Sequence, residues 1–135
     1  MTLKEALSNL KIKLAEVNDG ALESRYILEK VSGVSYSEML FKGDSEISEE
    51  KYNEALAMAK RRLSGEPIQD ILGSWDFMDF TFKVGEGVLI PRPETEILVE
   101  YIAEKIKDID EPVIYDLCSG SGCIGLSLKI GRAHV

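Results

Sequence analysis

The chain has 135 residues, 44 % of them hydrophobic, which fits a globular protein of one domain or two small ones. Its 24 acidic and 16 basic side chains give a formal charge of −8, which argues against broad nucleic-acid binding because phosphate contacts need a basic footprint. With no apolar run near the ~20 residues that span a bilayer, no signal-peptide pattern and only two cysteines, we expect a cytoplasmic protein with free thiols.

The chain begins with two predicted amphipathic helices. Thr2 and Glu5 have the spacing of a capping box, and apolar residues then recur on one face as far as Val17. An Asn-Asp-Gly sequence breaks this helix. A second helix is predicted over about 21–31, ending near Gly33.

Two further helices are predicted before residue 65. Ser35 and Glu38 form another capping pattern, which starts a short helix, and Ser48 caps a longer one. The apolar stripe of the longer helix consists of Tyr52, Ala55, Leu56, Ala59 and Leu63. The basic residues 60–62 at its end suit the helix dipole, and we interpret them as a solvated helix end rather than a nucleic-acid site. Together these helices predict a small helical bundle.

The pattern changes after a Gly-Glu-Pro sequence. Residues 68–73 predict a short turn of helix. Residues 75–77 and 80–84 alternate apolar with polar side chains, which predicts two strands joined by a turn at 78–79. The aromatic side chains of these strands could stack on a base, but the buried face of a hairpin explains them better.

Residues 91–96 place two prolines around an arginine. Pro93 is suited to the first position of a helix, and Glu94 and Glu96 suit the positive end of its dipole. The apolar face of this predicted helix consists of Ile97, Leu98, Tyr101, Ile102 and Ile106. A stiff backbone around Arg92 is what a preorganised binding edge requires.

The segment 113–125 has the pattern of a strand, a glycine turn and a helix, which opens many nucleotide-binding α/β units. Gly120 and Gly122 let a ligand approach the backbone without a Cβ in the way. With Gly125 they satisfy the dinucleotide fingerprint, which is a weak signal by itself. Asp116 would repel a pyrophosphate but suits a ligand with an ammonium and a sulfonium, such as S-adenosylmethionine. A glycine turn without a ligand remains an alternative.

In order and spacing, residues 65–73, the aromatic hairpin, the Ile-Pro-Arg-Pro-Glu-Thr-Glu string at 90–96 and the glycine loop resemble the release factor glutamine methyltransferases. The resemblance implies an α-helical bundle, a β-hairpin linker and the start of a Rossmann-like class I methyltransferase domain. The implied boundaries are 1–72, 73–90 and 91–129.

The resemblance also implies an activity: S-adenosylmethionine-dependent methylation of the glutamine side chain in the Gly-Gly-Gln motif of release factors, which act in translation termination. It implies a cofactor loop with Asp116 at its mouth, comprising Cys118, Ser119, Gly120, Ser121 and Gly122. Cys118 stands where the first motif of class I methyltransferases usually has a glycine. Arg92, Glu94 and Thr95 are candidates for the pocket edge. The family's catalytic Asn-Pro-Pro-Tyr loop is absent from these 135 residues, so no catalytic residue is assigned and no metal is expected.

Release factors are the expected partners, with no direct nucleic-acid or membrane partner and a monomeric state. The alternatives are methylation of a ribosomal-protein glutamine or of adenine in nucleic acid, or a non-catalytic helical adaptor. Residues 130–135 match one translated frame of a common sequencing adapter, so we expect the native sequence to stop near Lys129 and His134 to have no role.

Overall fold

The computed structural model describes residues 1–131, and the chain divides into two compact units, Met1–Leu72 and Gly73–Val135. The first unit contains α1 (Leu3–Lys13), α2 (Gly20–Ser32), α3 (Tyr36–Lys42), α4 (Glu49–Leu63) and α5 (Ile68–Leu72). The second contains β1 (Ser74–Phe77), β2 (Phe80–Lys83), α6 (Pro93–Ile106) and α7 (Cys123–Gly131). Among the helices of residues 1–131, none combines the length and the apolar character needed to cross a membrane.

Both predicted capping boxes are confirmed. At the start of α1 the Thr2 N–H donates to Glu5 Oε2 at 2.8 Å, and the Glu5 N–H donates to Thr2 Oγ1 at 3.2 Å. Ser35 and Glu38 make the same pair of bonds at the start of α3, at 3.2 and 3.3 Å. These bonds satisfy N–H groups that lack an intrahelical acceptor, which is why the helices begin where they do.

The break between α1 and α2 is longer than the sequence predicted. The first helix ends at Lys13 rather than near Val17, and a series of turns leads to Asp19 in the left-handed conformation (φ = 61°). A Cβ built on Gly20 would lie 2.0 Å from the carbonyl oxygen of Leu14. Because any side chain at position 20 would collide with the backbone of Leu14, only glycine can start α2 here.

The fourth helix begins at its predicted cap, with the Lys51 N–H donating to Ser48 Oγ at 3.3 Å. Ala55 and Ala59 are fully buried. The predicted stripe extends too far, because Leu63 at the last position of the helix is 48 % exposed.

The helical bundle is confirmed as the architecture of the first unit. Helices α1, α2 and α4 pack against one another, α5 packs on α2 and α4, and α3 packs on α1. The buried core consists of Leu3, Ala6, Leu10, Leu14, Ile27, Leu28, Val31, Met39, Ile47, Ala55, Ala59 and Ile68. Burying each large aliphatic side chain contributes about 1.5–3 kcal/mol, so this core is the main source of the unit's stability.

The predicted hairpin is also confirmed. Strands β1 and β2 are antiparallel, with Phe77 opposite Phe80 and a two-residue turn at Met78 and Asp79. Phe77 is buried, and its ring meets that of Phe82 edge to face at 6.1 Å. The aromatic residues therefore form the buried face of a hairpin rather than an open stacking surface.

Helix α6 starts at Pro93 as predicted, but its predicted apolar face is only partly confirmed, at Ile102. Val99 is the residue that is buried, with Ile102 packed beside it, whereas Ile97 and Tyr101 are exposed. Val99 and Ile102 are three residues apart and so share one face of the helix. They pack with the buried residues Phe77, Phe82, Cys123 and Leu128.

The predicted strand at 113–117 does not form in the described part of the chain. The segment has no regular secondary structure, and Tyr115 and Leu117 are each 84 % exposed. A strand needs a neighbour to accept and donate its backbone hydrogen bonds, and the sheet of residues 1–131 contains only β1 and β2. The start of a Rossmann-like domain is therefore not confirmed. Most of the suspected adapter tail, His134 included, lies outside the described residues.

Candidate cofactor loop and its neighbouring edge

The loop before α7 turns sharply through three left-handed residues. Cys118, Gly120 and Gly122 have φ values of 59°, 58° and 76°. The Gly122 N–H donates to the Ser119 carbonyl at 2.8 Å, and the Gly122 carbonyl accepts from Leu126 N–H at 2.9 Å as α7 begins. A Cβ built on Gly120 would meet no heavy atom within 4 Å, so the space over this residue is open to a ligand.

Asp116 closes the loop onto the helix that follows. Its Oδ2 accepts a hydrogen bond from the Gly125 N–H at 3.0 Å. This N–H belongs to the first turn of α7 and has no intrahelical acceptor. The Asp116 carboxylate, nine residues earlier in the chain, therefore caps the start of the helix. A Cβ on Gly125 would lie 3.0 Å from the same oxygen. A side chain at position 125 would therefore crowd the carboxylate, which would have to shift to accommodate it.

The remaining loop residues differ in accessibility. Cys118 and Ser119 are exposed and Ser121 is half-buried, whereas Cys123 is buried among the aromatic residues of the hairpin. Cys118 is strained, because a non-glycine residue in the left-handed region costs about 1–2 kcal/mol. The backbone at position 118 thus has a conformation that favours glycine, although the residue is a cysteine.

The three candidate residues of the pocket edge lie at the start of α6. Arg92 is its N-cap residue, and its carbonyl accepts from the Thr95 N–H at 3.0 Å. The Arg92 and Glu94 side chains are exposed, and neither makes a hydrogen bond or an ion pair within residues 1–131. Helices α6 and α7 pack against each other, but no hydrogen bond in the described chain joins this edge to the cofactor loop.

Glu96 has a role that the sequence did not reveal. Its Oε1 accepts a hydrogen bond from the backbone N–H of Met78 at 2.6 Å, which ties the turn of the hairpin to the first residues of α6. For Glu96, the sequence alone predicts only a favourable charge near the start of a helix. A partner 18 residues away leaves no local signal in the sequence.

In chain order, a helical bundle is followed by a second unit, which contains a short aromatic hairpin and a glycine loop at the start of its last helix. Residues 5–73 match the family described as the PrmC N-terminal domain. The chain belongs to this family, that of the release factor glutamine methyltransferases, as the sequence resemblance predicted.

Relatives with that name come from several bacteria. The chain is 36 % identical to the release factor glutamine methyltransferase of Coxiella burnetii over 99 % of this chain and 49 % of the relative. The Aquifex aeolicus protein is 39 % identical over 90 % of this chain and 45 % of its own length. The protein of Thermodesulfovibrio yellowstonii is 47 % identical over 66 % and 33 % respectively. The chain thus spans about half the length, or less, of the relatives it matches.

Proposed function

We propose that this chain is the N-terminal part of an enzyme that methylates the glutamine side chain in the Gly-Gly-Gln motif of peptide chain release factors, with S-adenosylmethionine as the methyl donor. The observation that carries the proposal is the 36 % identity, over nearly the whole chain, to a protein named release factor glutamine methyltransferase. The match of residues 5–73 to the family's N-terminal domain supports it independently of the glycine loop.

The cofactor loop fits the proposed donor in two respects. The open space over Gly120 allows a ligand to lie against the backbone, and the N–H groups at the start of α7 favour a carboxylate. Asp116 uses Oδ2 to hold Gly125, so its Oδ1 is the oxygen that we assign to an ammonium group. When bound, S-adenosylmethionine supplies an activated methyl group. Residues 118–122 hold and orient it.

The chemistry of the methyl acceptor, an amide nitrogen, determines what else the enzyme needs. An amide nitrogen is a poor nucleophile, because its lone pair is delocalised into the carbonyl. Catalysis therefore depends on holding the amide in line with the methyl group and stabilising the charge that develops. We assign this work to the part of the relatives' length that this chain does not span, and we assign Arg92, Glu94 and Thr95 to the edge of the pocket.

The helical unit is proposed to recognise the substrate protein. On this assignment residues 1–72 contact the release factor, 73–90 form a linker and 91–129 begin the catalytic domain of a monomeric cytoplasmic enzyme. The net charge of −8 favours a protein substrate over nucleic acid, because no excess of basic residues is available for phosphate contacts.

The test is methyl transfer from labelled S-adenosylmethionine by this chain extended to the length of its relatives. Purified release factor, a release factor with Gln replaced by Ala in the Gly-Gly-Gln motif, ribosomal protein and DNA are offered in parallel. Label in the first substrate alone is the expected result. Label in ribosomal protein or DNA instead would replace the proposed substrate. No labelling and no binding of S-adenosylhomocysteine would favour a non-catalytic adaptor.

A further inference from the structure

The tip of the hairpin carries a backbone group that the hairpin itself cannot satisfy. In a two-residue turn the N–H of the first turn residue, here Met78, points away from the partner strand. Met78 also has φ = 52°, a left-handed conformation that costs a non-glycine residue about 1–3 kcal/mol unless the surroundings hold it. An acceptor outside the hairpin would therefore help to hold the turn in this conformation.

Glu96 supplies that acceptor. The Met78 N–H donates to Glu96 Oε1 at 2.6 Å, across 18 residues of the chain. Both residues are half-buried, and Met78 packs against the cluster of Phe77, Phe82 and Val99, so water competes weakly for the bond. Glu96 is the fourth residue of α6, and the helix starts immediately after Arg92.

We propose that Glu96 is a positioning residue, which clamps the turn of the hairpin to the first turn of α6 and thereby fixes the backbone that carries Arg92. Glu94, only two residues earlier, is exposed, so the two acidic residues of the Pro-Glu-Thr-Glu sequence have different roles. Glu96 holds the edge in place, and Arg92 and Glu94 are left accessible. That this edge serves methyl transfer rests on the proposed function; the clamp itself does not.

The clamp is tested in this 135-residue chain by amide hydrogen exchange. In E96A the Met78 amide should exchange about tenfold faster or more, since a hydrogen bond to a charged group is lost. E96Q should give intermediate protection, because its amide oxygen still accepts but carries no charge. E100A removes an exposed carboxylate further along α6 and should match the parent. Circular dichroism checks that each variant retains its helices.

Unchanged Met78 exchange in both Glu96 variants would overturn the clamp. If E96A does not fold, the E96Q result decides alone, because the conservative change keeps the side chain's size. Exchange that is equally faster in E100A would also overturn it, since the effect would then belong to the helix as a whole.

The positioning role is tested in the chain extended to the length of its relatives. E96A should raise KM for release factor about ten- to hundredfold with a smaller effect on kcat, E96Q should recover most of the loss, and E100A should behave as the parent. Parental kinetics in E96A would overturn the positioning role. Absence of methyl transfer in the parent would instead reject the proposed function, while the exchange result would still decide the clamp.

Discussion

At the scale of single residues, one ion pair connects two helices of the first unit. Arg62 Nε of α4 donates to Glu23 Oε2 of α2 at 2.7 Å, and their side chains are only 22 % and 9 % exposed. The neighbouring Arg61 pairs with Glu66 at the surface. The sequence predicted a solvated basic helix end for all three residues 60–62, and this interpretation is wrong for Arg62. The pair joins positions 39 residues apart, which helix periodicity does not encode.

The two arginines should therefore respond differently to the same substitution. Arg62→Met should lower the free energy of unfolding by about 3 kcal/mol, because it leaves a buried carboxylate without its partner. Arg61→Met, the matched control, should cost less than ~1 kcal/mol because its ion pair is exposed. Urea denaturation of both variants measures the difference. Equal losses would show that the Glu23 carboxylate is solvated in the folded protein.

The candidate cofactor loop gives a second prediction for single residues, made for the chain extended to its relatives' length. Cys118→Gly should keep or improve the binding of S-adenosylhomocysteine, because it relieves the strain at φ = 59°. Gly122→Val should abolish binding while the helical unit stays folded, because a β-branched side chain is strained at φ = 76°. Isothermal calorimetry tests both variants. Unchanged affinity in the valine variant would remove this loop from the site.

At the scale of elements, helix starts could be predicted because their signals are local. The capping boxes of α1 and α3 each lie within four consecutive residues, and the hairpin turn lies between two alternating runs. The buried face of α6 could not be predicted in this way. Its apolar residues occur on more than one face, so the choice of Val99 depends on the aromatic residues that pack against it.

The capping boxes also predict how stability depends on pH. Hydrogen bonds from the Thr2 backbone and side chain lower the pKa of Glu5, and bonds from the Ser35 side chain and backbone lower that of Glu38. Since each folded pKa lies below the unfolded one, the contribution is complete above the unfolded pKa and is lost as the pH falls through the folded pKa. Thermal unfolding followed from neutral to acid pH should show this decline.

Thr2→Ala and Ser35→Ala should each make that decline shallower, because they remove the hydroxyl of the box. Ser8→Ala, on the exposed side of α1, is the control and should leave the pH dependence unchanged. A decline as steep in the Thr2 and Ser35 variants as in the parent would assign the acid sensitivity to other carboxylates.

At the scale of the whole molecule, the helical unit has its own core and its own helix caps. We predict that residues 2–72 fold without the rest of the chain, though marginally, because ~70 residues bury a small core. Circular dichroism of this segment should show helix and a cooperative thermal transition. A spectrum of a largely disordered chain without a transition would show that the core needs the second unit.

The second unit contains a segment with strand composition that does not pair with another strand within residues 1–131. A strand over 113–117 was predicted from its β-branched and aromatic residues, and that composition is typical of a strand buried on both faces of a parallel sheet. In the structure Val113, Tyr115 and Leu117 are exposed, and an apolar segment with unpaired backbone groups is a site for aggregation. The candidate cofactor loop follows directly on this segment.

We therefore predict that the 135-residue chain, as it stands, does not catalyse methyl transfer. A loop that holds its binding conformation for only part of the time binds its ligand with an affinity reduced by that fraction. In addition, we assigned the residues that align the amide to the part of the relatives' length that this chain does not span. The measurement is transfer of labelled methyl groups to release factor by this chain and by its extended form, at equal concentration. The release factor with Ala in place of the motif glutamine controls for label that is bound but not transferred. Turnover by the 135-residue chain alone would place the catalytic groups within these residues.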